Sequence, residues 1–193
     1  MTSGWKDQRR LFIAVESMSE IFSVLPFSSP AVGNTYILLI SPDQIPHVAI
    51  VHRMKYYSLA NFGLISGEDF GPYLKALKRL KKGLIFLDLG ELETSPENGF
   101  RKYDKAVAGG PTCLAPIKDF VHPESKAQFA FEFVPELYAA GKIIAASQLN
   151  FSDKIDDKGN FRMSVYSHSD IDQYIHSINE ENARRKQDIS PQG

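Results

Sequence analysis

The sequence predicts an α+β domain built on a mainly antiparallel sheet with packed helices. Three observations predict it. Residues 33–60 hold three short apolar runs joined by links of turn length, the pattern of consecutive strands. Helical apolar periodicity flanks that block on both sides. The elements then run helix, strands, helix, strand, helices, hairpin, helix, without the regular alternation that builds a parallel sheet. The chain has 193 residues, enough for one domain with a sizeable core, and residues 1–193 are read as that single domain.

Residues 7–25 predict a first helix, because Leu11, Phe12, Val15, Met18, Ile21, Phe22 and Leu25 recur at helical spacing and Pro26 stops the pattern. Residues 36–40 and 47–51 are continuously apolar and rich in β-formers, as strands buried on both faces are. The link from Ser41 to Pro46 carries two prolines, which cannot donate to a sheet ladder. Arg53-Met54-Lys55 has the length of a hairpin turn and leads into a strand over 56–60, with a further short strand over 62–65. Residues 69–82 predict a helix with Asp69 as N-cap, Pro72 in the first turn, Gly83 after its end and Leu74, Leu77 and Leu80 as its buried stripe. Lys75, Lys78, Arg79, Lys81 and Lys82 form a basic cluster on it. Residues 84–89 predict another buried strand.

Residues 90–110 read as a long irregular connection ending in Gly109-Gly110-Pro111. Thr112 or Cys113 then opens a short helix ending near Val121. A longer helix is expected over 125–140, started afresh or kinked at Pro135 and ended by Gly141. Residues 143–151 and 161–166 predict a hairpin around Asp156-Asp157-Lys158-Gly159-Asn160, whose aspartates lack calcium-loop spacing. Ser167 or Ser169 caps a last helix through about Ile178, with a charged extension to Lys186 and a frayed tail over 187–193.

Composition excludes several classes. The net charge of −1 gives no whole-chain attraction to nucleic acid, which is not expected as a partner. The single cysteine excludes a disulfide framework and any cysteine-rich zinc or iron–sulfur site, and fits a reducing compartment. Apolar runs fall far short of the roughly 20 residues a bilayer needs, so no membrane span is expected. Glu16 and Glu20 interrupt the apolar N-terminal stretch, which argues against a signal peptide and for a cytoplasmic location. There is no P-loop, dinucleotide fingerprint, zinc helix or nucleophile elbow, so no cofactor is expected. His168 and His176 share one helix but find no third ligand, so no metal is expected either.

Cys113 and His47 remain as the candidate reacting residues. Cys113 follows a Gly-Gly-Pro-Thr loop and opens a helix, where free backbone N–H groups would lower the thiol pKa. A thiolate needs a base, most often an imidazole. His47 begins an apolar strand, and His52, five positions on, faces the other side of it.

Pro46-His47-Val48-Ala49-Ile50-Val51, followed by a turn and Tyr56-Tyr57-Ser58-Leu59, resembles the histidine strand and hairpin of circularly permuted papain-like proteins. These are the permuted NlpC-like hydrolases and their lecithin retinol acyltransferase relatives. The resemblance spans roughly residues 34–141. It implies a papain-like fold in permuted order, a Cys113 nucleophile, a His47 base and an orienting residue at Asn61 or Ser58. A second alignment places Ala130-Phe131-Glu132-Phe133-Val134 on the family's Cys-Ser-Glu-Phe-Val helix, with alanine where the nucleophile belongs. Val165 to Asp170 would then match the later helix-capping segment.

Two functions follow as expectations. The first is a non-catalytic binding or interaction module on this fold. It would take a peptide, lipid or protein ligand through the face near Tyr56, Tyr57 and Tyr73 or through the basic helix. The alternative is a cysteine hydrolase or acyltransferase acting on peptide, amide or lipid ester bonds through Cys113 and His47.

Overall fold

Continuous apolar runs bury both faces of a strand, and the centre of this fold is a sheet covered on both sides. A computed structural model describes residues 23–189. Its seven strands are β1 (Leu25–Pro26), β2 (Thr35–Ile40), β3 (His47–His52), β4 (Lys55–Ala60), β5 (Gly63–Asp69), β6 (Leu84–Asp88) and β7 (Ala145–Leu149). Five helices are described: α1 (Phe70–Arg79), α2 (Glu97–Phe100), α3 (Ala115–Val121), α4 (Ala130–Ala139) and α5 (His168–Ile189). The strands form one sheet in the order β1-β7-β6-β2-β3-β4-β5. Only the β1–β7 pairing is parallel. The fold is therefore α+β with a mainly antiparallel sheet, as the sequence predicts.

The period of two along each strand divides the core. Ile37, Leu39, Val48, Ile50, Ile85 and Leu87 pack on one face with Ile117 and Val121 of α3 and Phe133, Val134 and Leu137 of α4. Tyr36, Leu38, Ala49, Val51, Tyr56 and Phe86 pack on the other with Phe27 and with Phe70, Leu74 and Leu77 of α1. Phe86 is fully buried and stacks on Phe27 at 4.0 Å between ring centroids. The β3–β4 turn puts Arg53 and Met54 at positive φ, 48° and 64°, the conformation a two-residue hairpin needs to match strand twist.

Several elements depart from expectation. The helix expected over 7–25 falls almost wholly on residues 1–22, which lie outside the described residues. At its expected end, Leu25 and Pro26 form an edge strand instead, and Phe27 donates its N–H to the Gln148 carbonyl. The helix of 69–82 closes at Arg79, because Lys81 turns left-handed (φ 51°) and Lys82 N–H bonds back to the Leu77 carbonyl. Asp69 occupies the N-cap position but makes no side-chain cap bond. The helix expected from 125 begins at Ala130, where the Glu132 carboxylate accepts N–H bonds from Gln128 and Phe129, and Pro135 lies inside it. The turn at 156–160 is present, but residues 161–166 do not form a strand; Phe161 makes one isolated bridge to Ile155. Ser167 does cap α5, with its hydroxyl meeting the Asp170 backbone N–H and carboxylate. That helix runs to Ile189, so 187–189 are helical rather than frayed. Among the described residues, no helix is long and apolar enough to cross a membrane.

Candidate functional site

His47 opens β3 and Ser58 lies near the end of β4, at one end of the sheet. Strands β3 and β4 pair only from Ile50↔Tyr57 to His52↔Lys55. Their outer neighbours stay paired further out, to Ile40↔His47 and Ala60↔Gly63. The two strands therefore part beyond Ile50 and Tyr57. The chain around Cys113 closes on this gap. Ala106 N–H reaches the Ala60 carbonyl on one side. On the other, the backbone of Val48 hydrogen-bonds the Cys113 thiol.

The structure thus brings Cys113 to the strand of His47, 66 positions away in sequence, through the residue next to the histidine. Their local chemistry differs from expectation. Cys113 does not open a helix: α3 starts at Ala115 with Leu114 as N-cap, and Cys113 sits in the preceding turn. Burial is the largest influence on the thiol and pushes its pKa up, while the backbone of Val48, Cys113 and Leu114 pulls it down by less. The predicted lowering by a helix start is thereby corrected. The thiol stays protonated at neutral pH, since desolvation disfavours the charged form.

His47 is shifted in the matching sense. Burial pushes its pKa down to about 4, so its ring is neutral at pH 7. Its Nε2 and the Ser58 Oγ are 2.6 Å apart and share a hydrogen bond. Ser58 also hydrogen-bonds the buried Tyr56 hydroxyl, whose pKa burial raises to about 12. Of the two expected orienting residues, Ser58 reaches the histidine. Asn61 lies beyond β4 and gives its amide to Asn179 of α5 at 2.8 Å. His52 faces the other side of the sheet, where Nδ1 meets the Thr35 Oγ1 at 2.9 Å and the ring lies edge-on to Phe120.

Ala130 is the first residue of α4 and is almost fully buried. Its N–H donates to the Tyr166 hydroxyl at 3.2 Å. Burial first, and then the charges of Cys113 and Glu132, push the Tyr166 pKa up to about 12 against the lowering effect of the Ala130 hydrogen bond. Around Tyr166 stands an aromatic cluster that the sequence reading did not assemble. Phe129 and Phe131 stack at 5.1 Å, and Tyr166 lies edge-on to both, at 5.5 and 5.2 Å. His168 tilts against Phe129 at 4.8 Å and bonds the Gln128 side chain. Phe129, Phe131 and Tyr166 are each half-buried, so the cluster keeps a face toward solvent. Phe129 and Phe131 are two apart, and Tyr166 follows 35 residues later, so no local period marks them as neighbours.

The tyrosine face expected to bind a partner is not available. Tyr56 and Tyr57 are buried on opposite sides of β4, and Tyr73 stacks on Tyr56 at 4.4 Å. The basic residues Lys75, Lys78, Arg79, Lys81 and Lys82 are all exposed. Among the described residues, no group of three or more histidine, cysteine or acidic side chains is arranged to hold a metal ion.

Comparison with protein-family models, with curated proteins and with solved structures finds no match for this chain.

Proposed function

We propose that this chain is a non-catalytic binding module on a scaffold resembling the permuted papain-like group. One observation carries the reading: His47 shares the α1 face of the sheet with its cross-strand neighbour Ile40 and with Ala49 and Val51, and Cys113 packs against the core of the opposite, α3–α4 face, so the Ser58 bond to Nε2 orients an imidazole that does not face the thiol. The protonated state of Cys113 agrees with it, because a neutral thiol and a neutral imidazole are not the ion pair that nucleophilic attack needs. So does Ala130 at the head of α4, where the second alignment puts the nucleophile. The half-exposed Phe129, Phe131 and Tyr166 suit an apolar or aromatic group carried by a peptide, lipid or protein ligand.

The alternative, a cysteine hydrolase or acyltransferase, draws on the contact between the Val48 backbone and the Cys113 thiol, which brings the sulfur to the histidine strand. Iodoacetamide labelling against pH separates the two. A binding module labels slowly, with a midpoint above the ordinary thiol value of about 8.5. A midpoint clearly below that value, moved back up by His47→Gln, would refute the proposal and favour the enzyme.

A further inference from the structure

The strongest uncommitted feature of the surface lies at the C-terminal end of α1. Lys75, Lys78, Arg79, Lys81 and Lys82 fall within eight consecutive residues that hold no acid, in a chain whose formal net charge is −1. All five are exposed, and none forms an ion pair among the described residues. Attraction to the helix dipole accounts for Lys78 and Arg79 in the last turn. It does not account for Lys81 and Lys82, which lie past the helix end. Nor does it account for Leu80, which stands among these cations with 61% of its surface in water.

Topology adds a second apolar point. α1 follows β5 and its end leads into Leu84, the start of β6. Leu84 is opposite Ile40, and Ile40 is opposite His47. The β4–β5 turn lies at that same end of the sheet, where Ala60 pairs with Gly63, and its tip is Phe62, 74% exposed. One end of the sheet thus presents a basic cluster and two bare hydrophobic side chains.

We propose that this end of the molecule, centred on Lys78, Arg79, Leu80, Lys81 and Lys82, is a docking surface for an anionic lipid bilayer. The inference is independent of the function proposed above, since it uses neither the thiol nor the aromatic cluster. Cations flanking an exposed apolar residue match an interface in which charge meets lipid headgroups and the apolar side chain enters the acyl boundary. Nucleic acid is the less fitting polyanion. The apolar residue among the cations is aliphatic and offers no face for base stacking, Tyr73, the aromatic nearest them on α1, is stacked on Tyr56, and Phe62 is a single ring on the β4–β5 turn, where a stacking platform for successive bases needs several.

The test is co-sedimentation of the full chain with vesicles of phosphatidylcholine alone or mixed with phosphatidylserine. The protein should bind the mixed vesicles at low salt, leave them as salt rises and ignore phosphatidylcholine alone. Each cation near an anionic leaflet contributes about fivefold, so Lys78→Ala with Arg79→Ala should weaken binding about 25-fold. Leu80→Ser should weaken it further while leaving its salt dependence intact. All three positions are exposed, so the variants keep the fold, which circular dichroism verifies. Absence of wild-type binding at low salt, equal binding by the double variant, or retention on duplex DNA without vesicle binding each overturns the proposal.

Discussion

The depressed pKa of His47 makes a quantitative claim about stability. Its folded value is about 4 against an ordinary 6.5, and burial is the cause. Above both values the ring is neutral in folded and unfolded chains alike, and the shift costs nothing. As pH falls through the unfolded value, the unfolded chain takes up a proton that the folded chain refuses. Stability then drops with pH until the folded value is reached. At about 1.4 kcal/mol per pH unit, that window amounts to a loss of about 3 kcal/mol. His52 is also lowered, by burial and by the Arg53 charge, and contributes in the same sense. The two are separated by comparison with His47→Gln, which keeps an amide to meet Ser58 but cannot titrate. Urea unfolding of both proteins between about pH 7 and pH 4 should show a wild-type loss exceeding that of the variant by about 3 kcal/mol. Parallel curves, or a His47 ring proton titrating by NMR near its ordinary value, would refute the reasoning. That result would also free the imidazole to act as a base near neutral pH.

Two further outcomes test the packing around the site. Thr35→Val keeps the shape of a buried side chain but leaves Nδ1 of His52 without its partner. The cost should be about 1–3 kcal/mol in urea unfolding, with Thr35→Ser recovering most of it, and a neutral result would mean that water replaces the hydroxyl. Phe86→Ala removes a ring packed on Phe27, Tyr36 and Phe70 at the centre of the α1 face. It should cost about 3–5 kcal/mol, and a loss under about 1 kcal/mol would show that this face is not a tight core.

The parts of the fold legible in the sequence are those set by local period. Strands β2, β3 and β6 are buried on both sides, so their apolar runs are unbroken and their limits fall within a residue or two of expectation. The illegible parts depend on which sheet edge is free. Residues 161–166 read as a strand, but β7 already has β6 on one side and β1 on the other. Leu25–Pro26 takes that place with two residues, and Pro26 suits an edge where no N–H is needed. The site was legible in its residues and not in its geometry. His47 and Cys113 stand out because the chain has five histidines and one cysteine. Nothing in their spacing shows that β3 and β4 part beyond Ile50 and Tyr57, or that the chain around Cys113 closes on the gap.

The start of α4 bears most directly on what this region can do. The first N–H groups of a helix have no partner within it, and such free donors are what an oxyanion hole uses. Here three of the first four are taken. The N–H of Ala130 goes to the Tyr166 hydroxyl, and those of Glu132 and Phe133 go to the Phe129 carbonyl. Just ahead of the helix, the N–H groups of Gln128 and Phe129 are held by the Glu132 carboxylate. A helix start satisfied in this way is rigid and offers little to a developing negative charge. What it holds outward is aromatic surface, because Phe129 and Phe131 flank Ala130 and Tyr166 closes over both. The same hydrogen bonds that remove the donors fix those rings, so the arrangement favours holding a ligand over transforming one.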